Sequence, residues 1–356
     1  MSRNDVIDAI NIRQPARIPF TIEYRAETEK ILRKDLLIPE DTTLSRFFGC
    51  DEFCSIWTIL GKGPVFPVKS IQTPGVTTDV WGVERKKINT GTVEYWEISH
   101  YPLADAETSA DIEKYHWPDA DAVILPEIPA GFNFLQARGE RVVLDMSCIG
   151  PFGIAWSLLG MEKMLMDMYI NPSVVSATVS CIEKYTLTLM KRLCKTYPGC
   201  IDLVGCGDDY GTQTNLFLSP ESIKEFFMPS LKRHYSAAAR FGAKGYHHSC
   251  GAVFGIIDQF IDAGVNVLNP IQTSAAGMIP ARLKKEFGSR LAFHGGIDIN
   301  ETLRTGSPSD VRDEVRSRIN ELGPNGYILA PTHVLQPDSR PENVAALYDE
   351  VRRYCI

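Results

Sequence analysis

Gly245-Tyr246-His247-His248-Ser249-Cys250-Gly251 is a stretch in which a strand-forming run ends in imidazoles, a thiol and a glycine. The same shape recurs along the chain: a brief β-branched or apolar run stops at Gly, Asp, Asn or Pro, and a longer helical pattern follows. Ile18–Glu23, Val142–Asp145, Ile201–Val204, Val265–Asn269, Leu291–His294 and Tyr327–Ala330 read as strands of this kind beside Gly245–Cys250, with a weaker candidate near Phe53–Ile56. Between them, Asn171–Tyr197 is long and amphipathic, and Ser219–Arg240 opens on Ser-Pro-Glu, a cap followed by proline in the first turn. Ser307-Pro308-Ser309-Asp310 is a capping box ahead of Val311–Leu322. Strands alternating with helices predict a parallel sheet, and the count of roughly eight predicts one α/β domain over residues 1–356, a (β/α)₈ barrel of the TIM type. No Gly-x-Gly-x-x-Gly follows a strand, which argues against a doubly wound dinucleotide fold. One region breaks the rhythm. Thr77–Tyr101, with Trp81, Tyr95 and Trp96 around Asn89-Thr90-Gly91, alternates like a β-hairpin inserted into the barrel, a lid or the surface of a homodimer.

Composition fits this reading. A chain of 356 residues with 44% hydrophobic and 23% charged residues has a sizeable core, which excludes disordered, collagenous and coiled-coil classes. Lys+Arg 37 against Asp+Glu 44 gives a net charge of −7, so a nucleic-acid backbone is not an expected partner. Met1 to Asp8 carries acids where a signal peptide needs its apolar stretch. The longest charge-free segment, Ala263 to Ala281, is interrupted by Asn, Gln, Thr, Ser and two prolines and is no membrane span. A cytoplasmic enzyme with reduced thiols is expected, most of its nine cysteines acting as small buried apolar groups.

Side chains alternate faces along a strand, so His248 and Cys250 point one way and His247 the other. An imidazole and a thiol on one face, at the strand end where barrels place their sites, suit a zinc ion that keeps one open position. The plainer alternative is a hydrogen-bonded histidine beside a buried cysteine. His333 closes the strand Tyr327–Ala330 and is the candidate third ligand, with Glu23 and His294 as competitors at other strand ends. The second constellation is Gly205-Cys206-Gly207-Asp208-Asp209-Tyr210-Gly211-Thr212-Gln213. Adjacent carboxylates beside flexible glycines put Asp208 and Asp209 forward as proton-handling groups, with Tyr210 and Gln213 as substrate contacts. The alternative there is a turn whose acids bond nearby N–H groups. Met161, Met164, Met166 and Met168 are spaced for core packing, and Cys148, Cys181, Cys194 and Cys200 show no metal spacing.

These residues, with Asn269-Pro270-Ile271-Gln272, Gly295-Gly296-Ile297-Asp298, Ala330-Pro331-Thr332-His333, Gln336-Pro337-Asp338 and Pro341-Glu342-Asn343-Val344, resemble the uroporphyrinogen decarboxylase superfamily. Arg17-Ile18-Pro19 and Gly150-Pro151-Phe152 fit the same pattern. The resemblance implies a distorted (β/α)₈ barrel and one of two chemistries. Cofactor-free decarboxylases of the family carry an Arg-Gln-Ala-Gly-Arg motif for porphyrin carboxylates. Here the corresponding region is Ile22-Glu23-Tyr24-Arg25-Ala26-Glu27, one arginine flanked by acids, too little positive charge for eight carboxylates. The other branch comprises zinc methyltransferases marked by His-x-Cys and a distant Cys; His248 and Cys250 match, and His333 stands where that Cys would be. The expected function is therefore zinc-dependent methyl transfer between a small methylated substrate or methyl acceptor and a corrinoid (cobalamin). No Asp-x-His-x-x-Gly motif is present, so the corrinoid is expected on a separate protein. The alternative is a metal-free carboxy-lyase using Asp208 or Asp209 and His333 on a smaller acid.

Overall fold

The computed structural model describes residues 3–51, 53, 55, 75–89, 94–125 and 142–354. Two sheets are present among them. A three-stranded antiparallel sheet joins β1 (Val76–Thr78), β2 (Glu84–Asn89) and β3 (Glu94–His100). Residues 90–93, where the sequence reading put the turn of an inserted hairpin, lie outside the described residues.

The larger sheet is six-stranded and parallel throughout, with spatial order equal to chain order: β4 (Val142–Ile149), β5 (Ile201–Gly207), β6 (Lys244–His248), β7 (Val265–Ile271), β8 (Ala292–Ile297) and β9 (Tyr327–Pro331). Every crossover carries helix, as parallel neighbours require. Beyond β9 the segment around Ile18–Glu23 runs alongside: Leu329 N–H donates to Pro19 O at 2.9 Å and Thr21 N–H to Leu329 O at 3.0 Å. It forms parallel bridges rather than a full strand. An eighth strand, and with it a closed barrel, is not found among the described residues, and two of the four residues of the weak candidate near Phe53–Ile56 fall outside them.

Strand periodicity sorts side chains into two layers. Leu203, Tyr246, Val267, Ala292 and Ile328, one from each of β5 to β9, form a buried cluster with Ala9 and Ile10 of the helix Arg3–Ile10. Their chain neighbours Val204, Leu268, Phe293 and Leu329 face the other way, into the large core shared with the surrounding helices. Two residues further along the first face stand His248, Asn269, His294 and Ala330, at or near the C-terminal ends of β6 to β9. That layer builds the site.

Helix boundaries differ from expectation in one place. Ser219–Arg240 is two helices, Pro220–Phe226 and Met228–Arg240, because Pro229 lacks the N–H that would carry one helix into the next. The Ser219 and Ser307 caps form as expected. The methionine helix Met161–Ile170 is only half core: Met164 and Met168 are buried, while Met166 is exposed. Cys50, Cys194 and Cys206 are buried, but Cys181, Cys200 and Cys250 are only partly so. No helix among the described residues is long and apolar enough to cross a membrane.

Candidate metal centre and adjoining cavity

His248 is the last residue of β6, and Cys250 lies just past the strand rather than within it. Alternation along the strand therefore does not by itself place the thiol. The loop is pinned by three contacts: Ser249 N–H to Asn269 O at 2.7 Å, Cys250 N–H to Asp209 Oδ1 at 2.8 Å, and Gly251 N–H to Gln272 Oε1 at 2.8 Å. Gly251 adopts φ +88°, and a Cβ there would sit 2.4 Å from Gly211 O, so glycine lets the loops after β5 and β6 close on each other. The result sets Cys250 Sγ 3.4 Å from His248 Nε2. His333 follows β9, and its ring centre is 5.9 Å from that of His248. One ligand atom from each of His248, Cys250 and His333 lies within 4.8 Å of the other two.

The imidazole of His248 is oriented from behind. Asn269 Oδ1 is 2.7 Å from His248 Nδ1, and a carbonyl oxygen only accepts, so Nδ1 carries the proton and Nε2 is left with its lone pair toward Cys250. Asn269 Nδ2 in turn lies 3.2 Å from His294 Nδ1. His294 is buried, with Nδ1 also 2.8 Å from Tyr246 Oη and Nε2 2.8 Å from Thr21 Oγ1. Both its nitrogens are engaged, and burial holds it neutral, its pKa lowered to about 3. His294 is thus a support behind the site and drops out as the competing third ligand. Glu23 lines the space beside His248 without joining the close trio.

Charge around the thiol matters. Burial, reinforced by the negative Asp209, pushes the Cys250 thiol up to about 12. Burial and the neighbouring His248 lower the pKa of His333. Asp209 Oδ1 stands 3.7 Å from His248 Nε2.

The two aspartates have separate fates. Asp209 is largely exposed and holds the Cys250 loop. Asp208 is buried, accepting from Phe152 N–H at 3.0 Å, Gly153 N–H at 2.8 Å and Tyr210 Oη–H at 3.1 Å. It therefore caps the helix Pro151–Leu159 from outside that helix's own chain segment, and a Cβ on Gly150 would fall 2.2 Å from its carboxylate. Burial outweighs these three donors and raises its pKa to about 7. Tyr210 is fully buried, stacked on Phe152, and does not line the cavity. It reaches any substrate only through Asp208. Gln213 is exposed, and its backbone oxygen accepts from Ala276 N–H at 2.9 Å. Neither residue that the sequence offered as a substrate contact meets the cavity.

That cavity has a volume of about 640 Å³ and opens beside His248. Its walls include Phe152, Trp156, Met161, Phe217 and Tyr246 with the acids Glu23, Asp208 and Asp209. Sequence reasoning quoted Asn269 and Gln272 without a role and missed Trp156 and Phe217. Asn269 had a signal: it ends a candidate strand as His248 does, and the two are register partners. Trp156 and Phe217 had none, since they sit on a helix and a loop.

Comparison with known proteins identifies the family and the fold. The family model for uroporphyrinogen decarboxylase (URO-D) matches residues 92–354, and the chain belongs to that family. Among solved structures, a methyltransferase from Methanosarcina mazei superposes with a TM-score of 0.65 at 14% identity, covering 99% of each chain. A B12-independent methionine synthase from Shewanella gives a TM-score of 0.42 at 11% identity, covering 96% of this chain and 95% of its own. A comparison with curated proteins gave no match.

Proposed function

We propose that this chain is a zinc-dependent methyltransferase that moves a methyl group between a small substrate and a corrinoid carried by a separate protein, its single domain forming a closed barrel around the site. The observation that carries this reading is the convergence of His248, Cys250 and His333 to within 4.8 Å. The donor set fits the metal. Zinc–nitrogen and zinc–sulfur bonds of about 2.0–2.3 Å put tetrahedral ligands roughly 3.3–3.8 Å apart, and the His248–Cys250 separation is 3.4 Å. A partly buried thiol beside a carboxylate keeps its proton, and Cys250 would ligate as a thiolate when a divalent cation is bound. When bound, zinc supplies Lewis acidity to the heteroatom that carries or accepts the methyl group.

The chain's own residues do the rest. Asn269 holds the His248 tautomer, Asp209 holds the Cys250 loop, and Asp208, its pKa raised by burial, stands at the cavity wall as the candidate proton-handling group. The His248-x-Cys250 pattern and the fold likeness to a methyltransferase support the transfer reading, and the lone arginine of residues 22–27 speaks against a porphyrin substrate. No Lys or Arg lines the cavity among the described residues, which disfavours a carboxylate substrate. The test is metal analysis of purified protein, followed by a spectrophotometric screen of cob(I)alamin and methylcobalamin against thiols, methoxyarenes and methylamines. About one zinc per chain and a cobalt spectral change are expected. Metal-free protein that releases CO₂ from a small carboxylic acid would replace this reading with the lyase one.

A further inference from the structure

We infer that the cavity beside His248 selects an N-methylated ammonium ion. This rests on the methyltransferase reading and names the substrate class for that same site. Three acids line the cavity, Glu23, Asp208 and Asp209, and no Lys or Arg does so among the described residues. Arg25, the near arginine, holds its Nε 2.9 Å from Gln336 Oε1 beyond the cavity lining. A divalent ion held by one thiolate adds a single positive charge, which Glu23 and Asp209 together exceed. Although the charge of Arg25 reaches His333, the lining itself carries acids and no base among the described residues, and so favours a cation over an anion.

Charge alone does not choose between a metal cation and an organic one; the rest of the wall does. Trp156 is half-buried, Phe217 is half-exposed, and Phe152, Tyr246 and Met161 complete an apolar surface. The negative faces of aromatic rings attract cations whose charge is spread over methyl groups and which shed water cheaply. Carboxylates alone would bind hydrated inorganic ions equally well, and aromatic walls alone would bind a neutral ether. The combination, in a space of about 640 Å³, suits an alkylammonium bearing methyl groups and a side chain of several further atoms.

The experiment is calorimetric titration of the full chain, metal-free and zinc-loaded, with three ligands of one shape. Choline is the cation, 3,3-dimethyl-1-butanol its neutral isostere, and 3,3-dimethylbutanoate the anion. Choline is expected to bind at least about tenfold more tightly than the alcohol, with the acid weakest. Trp156→Leu should weaken choline most, and Glu23→Gln should shrink the gap between choline and the alcohol. Equal binding of choline and the alcohol, tightest binding of the acid, or no binding of any of the three overturns the inference. The wild-type series stands even if a variant fails to fold. Choline preference in protein that neither holds zinc nor alters a cobalt spectrum removes the methyltransferase reading and keeps this one. Zinc binding with methyl transfer, but without charge preference, does the reverse.

Discussion

His247 and His248 are consecutive on one strand and share almost nothing. His248 faces the cavity, partly exposed, with Nδ1 on Asn269 and Nε2 at the Cys250 sulfur. His247 faces the helices, fully buried, 4.5 Å centre to centre from Phe260 and stacked on Tyr210. Its Nδ1 is 3.0 Å from Tyr235 Oη, and its buried Nε2 has no hydrogen-bond partner among the described residues. Burial lowers its pKa to about 3, so it is a neutral, aromatic-like filler. Two identical side chains thus become a candidate ligand and a packing element because the pleat turns one of them away from the other.

The sharpest way to break that contrast is to remove each ring in turn. His248→Ala or Cys250→Ala should abolish zinc retention and lower methyl transfer by more than about a hundredfold, read by elemental analysis and cobalt spectra. His247→Ala should leave zinc content unchanged and cost roughly 2–4 kcal/mol of stability by denaturant titration, because it opens a cavity among Tyr210, Tyr235 and Phe260. If His247→Ala loses zinc while keeping its stability, the two roles have been assigned backwards.

A smaller effect sharpens the support behind His248. Asn269→Ala should weaken zinc binding by about ten- to a hundredfold, while Asn269→Asp, which keeps the acceptor, retains most of it. Cobalt(II) substitution would show the change as altered ligand-field bands. Unchanged affinity in Asn269→Ala would mean that the Asn269 contact does not orient the ligand.

The smallest effects concern pH. His247 has a folded pKa near 3 against about 6.5 unfolded, so its contribution to stability is full above 6.5 and is lost as pH falls toward 3. His234 and His294, lowered by burial to about 4 and 3, act in the same direction. Asp208 acts oppositely. Its pKa rises from 3.8 to about 7, so its contribution is full below about 3.8 and is lost as pH climbs through 7. His247→Phe should flatten the acid limb of a melting-temperature profile, and Asp208→Asn should reduce the fall between pH 4 and 7. A profile unchanged in both variants would refute these assignments.

Much of the site was legible in the strand ends. His248, Cys250 and His333 each stand where an apolar run stops, and parallel strands bring such ends together at one face of the sheet. The aspartate pair could be singled out in the sequence, but its geometry could not. Nothing in Asp208-Asp209 says that the first is swallowed by the N-terminus of Pro151–Leu159 while the second reaches across to Cys250. Tyr210 shows the same limit: a polar residue beside two acids looks like a substrate contact, yet its hydroxyl is spent on Asp208.

By itself, the sequence determined the alternation of strand and helix, the capped helix starts at Ser219 and Ser307, and the opposite facing of His247 and His248. These follow from periodicity and local backbone chemistry, which act over a few neighbouring residues. Tertiary structure alone decided that β6 stops before Cys250 and that His294 is spent on Thr21 and Tyr246. It also decided that an acid-lined aromatic cavity opens next to the three candidate ligands. Those outcomes depend on which segments meet across the sheet, and burial, hydrogen bonding and charge at a side chain are set by neighbours far away along the chain.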